Sequence, residues 1–264
     1  MQTKKYKKGI FLYLPKDKGN LKEQVNFINS LKDVNHLEVW IEEDLSPLEL
    51  KILKSSLKKY EIIIHAPWVD LSLISPHPEV RETTVKLYLR TLKVADTLKA
   101  QLVTFHCGGS TVYESKEIIM ETLIRNLKKI KSLYKGKVAF AIENVPAVQR
   151  GPQISYPGFP KDLIYLKKRI PWLNFTLDIG HVFQEGKNLK SISDFLKKYK
   201  NSILDIHLHD AVLKGKDHLV LGKGDLDINK FFHTLNKFSY TGYISLEVIS
   251  NEDIQKSWEK IYKL

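Results

Sequence analysis

The sequence has one cysteine, Cys107, and two methionines in 264 residues. A lone thiol cannot close an internal disulfide, which excludes a stapled secreted fold and agrees with a reducing, cytoplasmic setting. No apolar run approaches the roughly 18 residues needed to span a bilayer, so no membrane role is expected. A secretory leader is not expected either. The apolar run 10–14 is short, and Pro-Lys-Asp-Lys follows where a small-residue cleavage site would stand. Long basic blocks are missing too, although 42 Lys and Arg against 30 Asp and Glu leave a formal charge of +12. The lysines are scattered, with KK pairs at 58–59, 128–129, 167–168 and 197–198 on expected helix faces. Such an excess attracts nucleic acid, favours phosphorylated substrates, or is solvated helix surface and nothing more. Charge alone does not choose among these.

What is present is alternation. Short aliphatic runs, each the length of a strand, fall at 9–13, 37–41, 61–65, 102–106, 138–143, 174–178, 203–207 and 243–248. Helical patterns lie between and after them, near 21–32, 47–58, 79–98, 115–134, 160–168, 190–199, 227–237 and 252–262. Ser46-Pro47 marks one helix start, Gly136 follows another helix, and Asn251 precedes Glu252-Asp253 at the last. Eight strands alternating with eight helices in this length predict an α/β fold, a single (β/α)8 TIM barrel spanning 1–264 as one domain.

The chemistry sits at the strand ends. His65, His106, Glu143, Asp178, His207 and Glu247 finish six consecutive expected strands. In a barrel those ends converge on one face, where active sites are built. A single histidine there is commonly structural, and a single acid commonly caps the next helix. Six together are different. Converging carboxylates raise one another's pKa unless a cation neutralises them, so the pattern points to a divalent metal. Mixed imidazole and carboxylate donors suit Zn2+, Mn2+, Fe2+ or Co2+ better than Ca2+. His181, His209, Asp210 and His218 follow close behind as further candidates.

The segments HAPWVDLSLISP (65–76), VTFHCG (103–108), AIENV (141–145), LDIGH (177–181), IHLHDA (206–211), DHLVLGKGDLD (217–227) and ISLEV (244–248) stand in an order that resembles the superfamily joining endonuclease IV to the xylose isomerase-like sugar isomerases and epimerases. The isomerase and epimerase branch implies one divalent metal, Zn2+ or Mn2+, on Glu143, Asp178, His207 and Glu247. There the two glutamates exchange protons with carbon through a metal-stabilised ene-diolate, acting on a sugar or sugar phosphate. His181 then contacts a substrate oxygen, and Lys214, Lys216 or Arg150 holds a phosphate. The endonuclease branch, the alternative, implies up to three ions and hydrolysis of DNA at abasic sites. Its ligand set is matched by His65, His106, Glu143, Asp178, His181, His207, His218 and Glu247. One aspartate of that set falls on Lys216, with Asp217 displaced by one position. Trp68-Val69 matches a pair that the endonuclease wedges into DNA, or else lines a pocket. Two features of that branch are missing. KGIFLYLPK stands in place of a Gly-x-His-x-Ser opening, and Asp178-Ile179-Gly180-His181 replaces Asp-Thr-Cys-His.

Other residues have plainer readings. Cys107 is out of phase with His106 and is expected to pack. GKGD at 222–225 lacks the Lys-Ser/Thr of a phosphate loop, so its glycines shape a turn. His36, His77 and His233 suit packing or surface roles. Asn144 orients a substrate or a neighbouring group. The stretch 146–160, with four prolines and two glycines, reads as a long loop and a lid over the substrate. The position of the lysines then separates the branches: gathered at the strand ends they favour DNA, on the outer helices a sugar.

Overall fold

Parallel strands buried on both faces need apolar side chains outward and something else inward, and the alternation along each strand supplies this. The computed structural model describes residues 6–14 and 21–264. Its elements run β1 (Lys7–Tyr13), α1 (Leu21–Ser30), β2 (His36–Trp40), α2 (Pro47–Ser56), β3 (Glu61–His65), α3 (Pro78–Leu98), β4 (Leu102–Phe105), β5 (Gly109–Thr111), α4 (Lys116–Leu133) and β6 (Ala139–Glu143). They continue with β7 (Gln149–Arg150), β8 (Gln153–Ser155), α5 (Lys161–Arg169), β9 (Asn174–Asp178), α6 (Ile179–Gln184), α7 (Leu189–Tyr199), β10 (Ile203–Leu208), α8 (Ile228–Lys237), β11 (Tyr243–Leu246) and α9 (Asn251–Ile261). Eight strands close a parallel barrel in the order β1-β11-β10-β9-β6-β4-β3-β2, so the expected (β/α)8 barrel is present. No helix among the described residues is long and apolar enough to cross a membrane.

The outward set includes Ile62, Ile64, Val103, Phe105, Phe140, Ile142, Phe175 and Leu177, which join Leu92, Leu123, Phe231 and Trp258 in the core beneath the helices. Truncating one of these buried aromatics to Ala would cost about 3–5 kcal/mol. The inward set begins at the barrel floor with Ile63, Leu102 and Ala141. Above this layer it turns polar, with Glu38, His65, Thr104, Glu143, Thr176, Asp178, Asp205, His207 and Ser245 all buried. Cys107 falls in the outward phase and is fully buried, as expected, and burial pushes its thiol pKa up.

The structure corrects several boundaries. β4 stops at Phe105 and β11 at Leu246, so His106 and Glu247 are the first residues past their strands. Asn251 is the first helical residue of α9, and Ser250 is the cap, accepting from the Asp253 N–H. Stretch 146–160 is more than a loop. β7 and β8 form a hairpin about Gly151, whose φ is +60°, and β8 pairs with β5. The Glu185 carboxylate accepts the Ala147 and Phe159 N–H groups at 2.9 and 3.1 Å, which anchors the stretch at both ends as a wall. These strands carry short polar sequences without an apolar run, so periodicity could not reveal them.

Because each helix runs back from the strand ends, its first turn lies at the catalytic rim and its last turn at the opposite face. First turns carry Glu49, Glu79, Glu117, Asp162, Glu252 and Asp253 beside Lys116, Lys161, Lys190 and Lys230. Last turns carry Lys54, Lys131, Lys167, Lys168, Lys197, Lys198, Lys237 and Lys260. This polarity complements the helix dipoles and places much of the basic excess away from the strand ends.

Candidate metal centre

Glu143 ends β6 and is the hub. Its Oε2 lies 2.9 Å from His106 Nε2, 3.4 Å from His65 Nε2 and 3.5 Å from His207 Nδ1, while Oε1 lies 3.2 Å from His181 Nδ1. His207 Nδ1 is also 3.1 Å from Glu247 Oε2 and 3.9 Å from Asp178 Oδ2. A third cluster joins His181 Nε2 and His218 Nε2, each 3.9 Å from Asp217 Oδ2. Five donor groups therefore fall within bonding reach of single cations among the described residues: His65/His106/Glu143, Glu143/Asp178/His207, His181/Asp217/His218, His209/His218/Glu247 and, deeper in the barrel, Glu38/Asp205/His207.

Burial raises the cost of charge here, yet the groups remain ionised against one another. Burial opposes the Glu143 carboxylate, but His106 and His207 outweigh it and hold it well below the usual range. Asp178 is likewise depressed, with His181 and His209 overcoming its burial. For His181 burial pulls down, but Asp178 and Glu143 dominate and push the imidazole up to about 10. His207 is raised far above its ordinary value by Glu38, Glu143 and Glu247 in spite of its burial. Three atoms of this cluster stay unsatisfied: Glu38 Oε2, His207 Nδ1 and Glu247 Oε2 are buried without a hydrogen-bond partner. A cation that displaced the imidazole proton would meet the Nδ1 lone pair and the Glu247 carboxylate together.

Neighbouring residues hold these donors in place. Asp178 caps α6, its Oδ1 accepting the His181 N–H at 2.6 Å, while His209 Nε2 sits 3.0 Å from Oδ2. Gly180 has no side chain because the His209 ring occupies the space a Cβ would need. The two ring nitrogens of His209 face Asp178 and the His218 N–H, so the residue supports its neighbours. Asn144, expected to orient a substrate or a neighbouring group, holds the Asp178 backbone, accepting from N at 2.9 Å and donating to O at 3.0 Å. Asp210 accepts the Ala211, Gly222 and Leu226 N–H groups and so fixes the GKGD turn, where Gly222 has a φ of +83°. His36 is buried at the floor, and His77 and His233 are exposed.

Above the donors opens a cavity of about 570 Å3. Phe11, Tyr13, Trp40 and Trp68 wall one side, and Val145, Val148 and Arg150 from the hairpin segment the other. Trp68 is stacked between Trp40 and His106, with ring centroids 6.1 and 5.4 Å away. The Lys216 side chain is exposed and outside the cavity lining, while Asp217 lines the cavity beside His218. Lys214 borders a separate groove, so Arg150 is the one Lys or Arg lining the cavity among the described residues. The expectations missed Glu38, Phe11, Tyr13 and Trp40. For Glu38 the available signal was a lone charge in phase with His36 and Trp40, in mid-strand.

The family model of the xylose isomerase-like TIM barrel matches residues 30–264. The chain belongs to that family. Among its relatives is an uncharacterized protein of Methanocaldococcus jannaschii, 28% identical, with 92% of each chain covered. A probable endonuclease 4 of Petrotoga mobilis is 26% identical over 69% of this chain and 67% of that one. Among solved structures, a D-tagatose 3-epimerase-like protein superposes with a TM-score of 0.78 at 24% identity, covering 97% of this chain and 98% of the other. The xylose isomerase-like barrel is thus shared by proteins named for epimerisation and for DNA cleavage.

Proposed function

We propose that the protein is a divalent-metal-dependent isomerase or epimerase of a sugar or sugar phosphate. The observation that carries this reading is the lining of the cavity, bounded by aromatic walls and holding one Lys or Arg among the described residues. A DNA backbone is held by Lys and Arg contacts to phosphates. Among the described residues the cavity lining holds one Lys or Arg, Arg150, while Lys116, Lys161, Lys187 and Lys214 line a neighbouring groove and the lysines of the last turns lie at the far end. Aromatic walls around a bounded cavity suit the apolar faces of a small polyol.

Glu143, Asp178, His207 and Glu247 would hold the metal, whose positive charge polarises substrate oxygens when bound. Glu143 and Glu247 approach His207 Nδ1 together. A sugar placed over them meets one carboxylate to remove a proton from carbon and a second to return it. His181 hydrogen-bonds a substrate oxygen, Trp68 and Trp40 exclude water, and Arg150 supplies charge for a phosphate. The test is solvent deuterium incorporation into a panel of ketoses and ketose phosphates. Incorporation is expected for wild type and is expected to vanish in Glu247→Gln. Cleavage of an abasic-site duplex that is abolished by Glu143→Gln, without exchange into any sugar, would overturn the reading.

The donor set favours that second reading, an endonuclease IV-like phosphodiester hydrolase. His65, His106, His181, Asp217 and His218 exceed what one ion requires, and Asp217 stands where a third ion would need it. Counting metal per chain by plasma mass spectrometry separates the two: one ion supports proton transfer, three support phosphodiester cleavage.

A further inference from the structure

His207 has two ring nitrogens, and they face opposite environments. Nδ1 looks up into the Glu143, Asp178 and Glu247 carboxylates. Nε2 looks down at Glu38, with Oε1 at 3.1 Å and Oε2 at 2.9 Å. Glu38 is fully buried in the middle of β2 and does not line the cavity. No substrate reaches it. The layer beneath is fixed as well, with Ser245 Oγ donating to Asp205 Oδ2 at 2.8 Å and sitting 2.9 Å from His36 Nε2. A carboxylate costs too much to bury in a barrel interior without a partner that uses it.

We infer that Glu38 is a positioning residue for the metal site. Its carboxylate accepts the His207 Nε2–H and thereby fixes the ring and the tautomer that present the Nδ1 lone pair to a cation. Metal-binding imidazoles gain orientation and basicity from such an acceptor. The sequence motifs do not include Glu38, because it lies three residues before the expected end of its strand. The inference rests on the metal-dependent reading of the site.

The experiment measures zinc affinity by competition with a chromophoric chelator for wild type, Glu38→Ala and Glu38→Gln, alongside thermal unfolding of each metal-free protein. Glu38→Ala is expected to bind zinc about 10–100-fold more weakly, with full stoichiometry recovered at saturating metal. Glu38→Gln retains an acceptor and is expected to recover part of that loss. It also carries the test if Glu38→Ala does not fold. A structural role alone would lower the melting temperature and leave the zinc affinity of the folded molecules unchanged. Folded variants that bind zinc within twofold of wild type therefore overturn the inference. Failure of wild type to bind zinc, manganese or cobalt overturns the metal reading itself, and is distinguishable because it appears without any substitution.

Discussion

A one-residue offset separates Lys216 from Asp217, and it decides which side chain the seventh loop brings to the site. The His218 N–H donates to His209 Nδ1, and Val212 N donates to Lys216 O, so the loop is pinned on either side of Asp217 with its carboxylate between His181 and His218. Lys216→Ala is expected to leave metal content and KM within about twofold of wild type, as for an ordinary exposed substitution. Asp217→Ala is expected to weaken metal or substrate capture by about 10-fold, the scale on which supporting groups around a metal act. Metal content and KM measured on both variants check the order. A larger effect at Lys216 would return that residue to the role its sequence position implies.

At the scale of elements, the hairpin β7–β8 is held by its pairing with β5 and by the Glu185 and Asp162 carboxylates. Glu185 follows α6, and its carboxylate takes up the Ala147 and Phe159 N–H groups at the two ends of the wall. Glu185→Ala leaves those donors without an acceptor, so a loss of about 1–3 kcal/mol is expected in thermal unfolding, with faster amide exchange across 147–160. KM should rise more than kcat falls, because the wall shapes the cavity and carries no donor of the metal cluster. The barrel strands themselves were readable because aliphatic runs flanked by helical periodicity have few other interpretations. The hairpin was not readable, since Gln149–Arg150 and Gln153–Ser155 pair through backbone alone. α6 was missed for a related reason: Asp178 had already been assigned as a strand end, and the same residue caps the helix. The donors at strand ends could be found by type and position. Glu38 could not, because its role depends on facing His207 across the barrel, a contact 169 residues away in sequence.

For the whole molecule, the centre ties stability to pH through metal. Without a cation, His181 titrates near 10 and His207 is also raised, so both add stability that is complete below pH 6.5 and is lost as pH rises through those values. Glu143 and Asp178 are depressed, so their contribution is complete above the ordinary carboxylate range and is lost on acidification. A bound divalent ion replaces the imidazole protons, which makes its binding release protons and strengthen as pH rises. The difference in melting temperature between metal-loaded and chelated protein is therefore expected to widen from about pH 5.5 to pH 9, which scanning calorimetry can follow. A constant difference would mean that the histidines are neutral before metal arrives.

The closed ring has one more consequence, for the order of events in folding. The donors lie on strands from β3 to β11, Glu38 lies on β2, and β1 completes the ring by pairing with both β2 and β11. A growing chain can assemble His65, His106 and Glu143 once β6 is made, but the set of Glu143, Asp178, His207 and Glu247 is complete only after the last strand. A cation on that four-residue set would act as a clasp on the last strand, because Glu247 joins the other three only when β11 has taken its place in the ring.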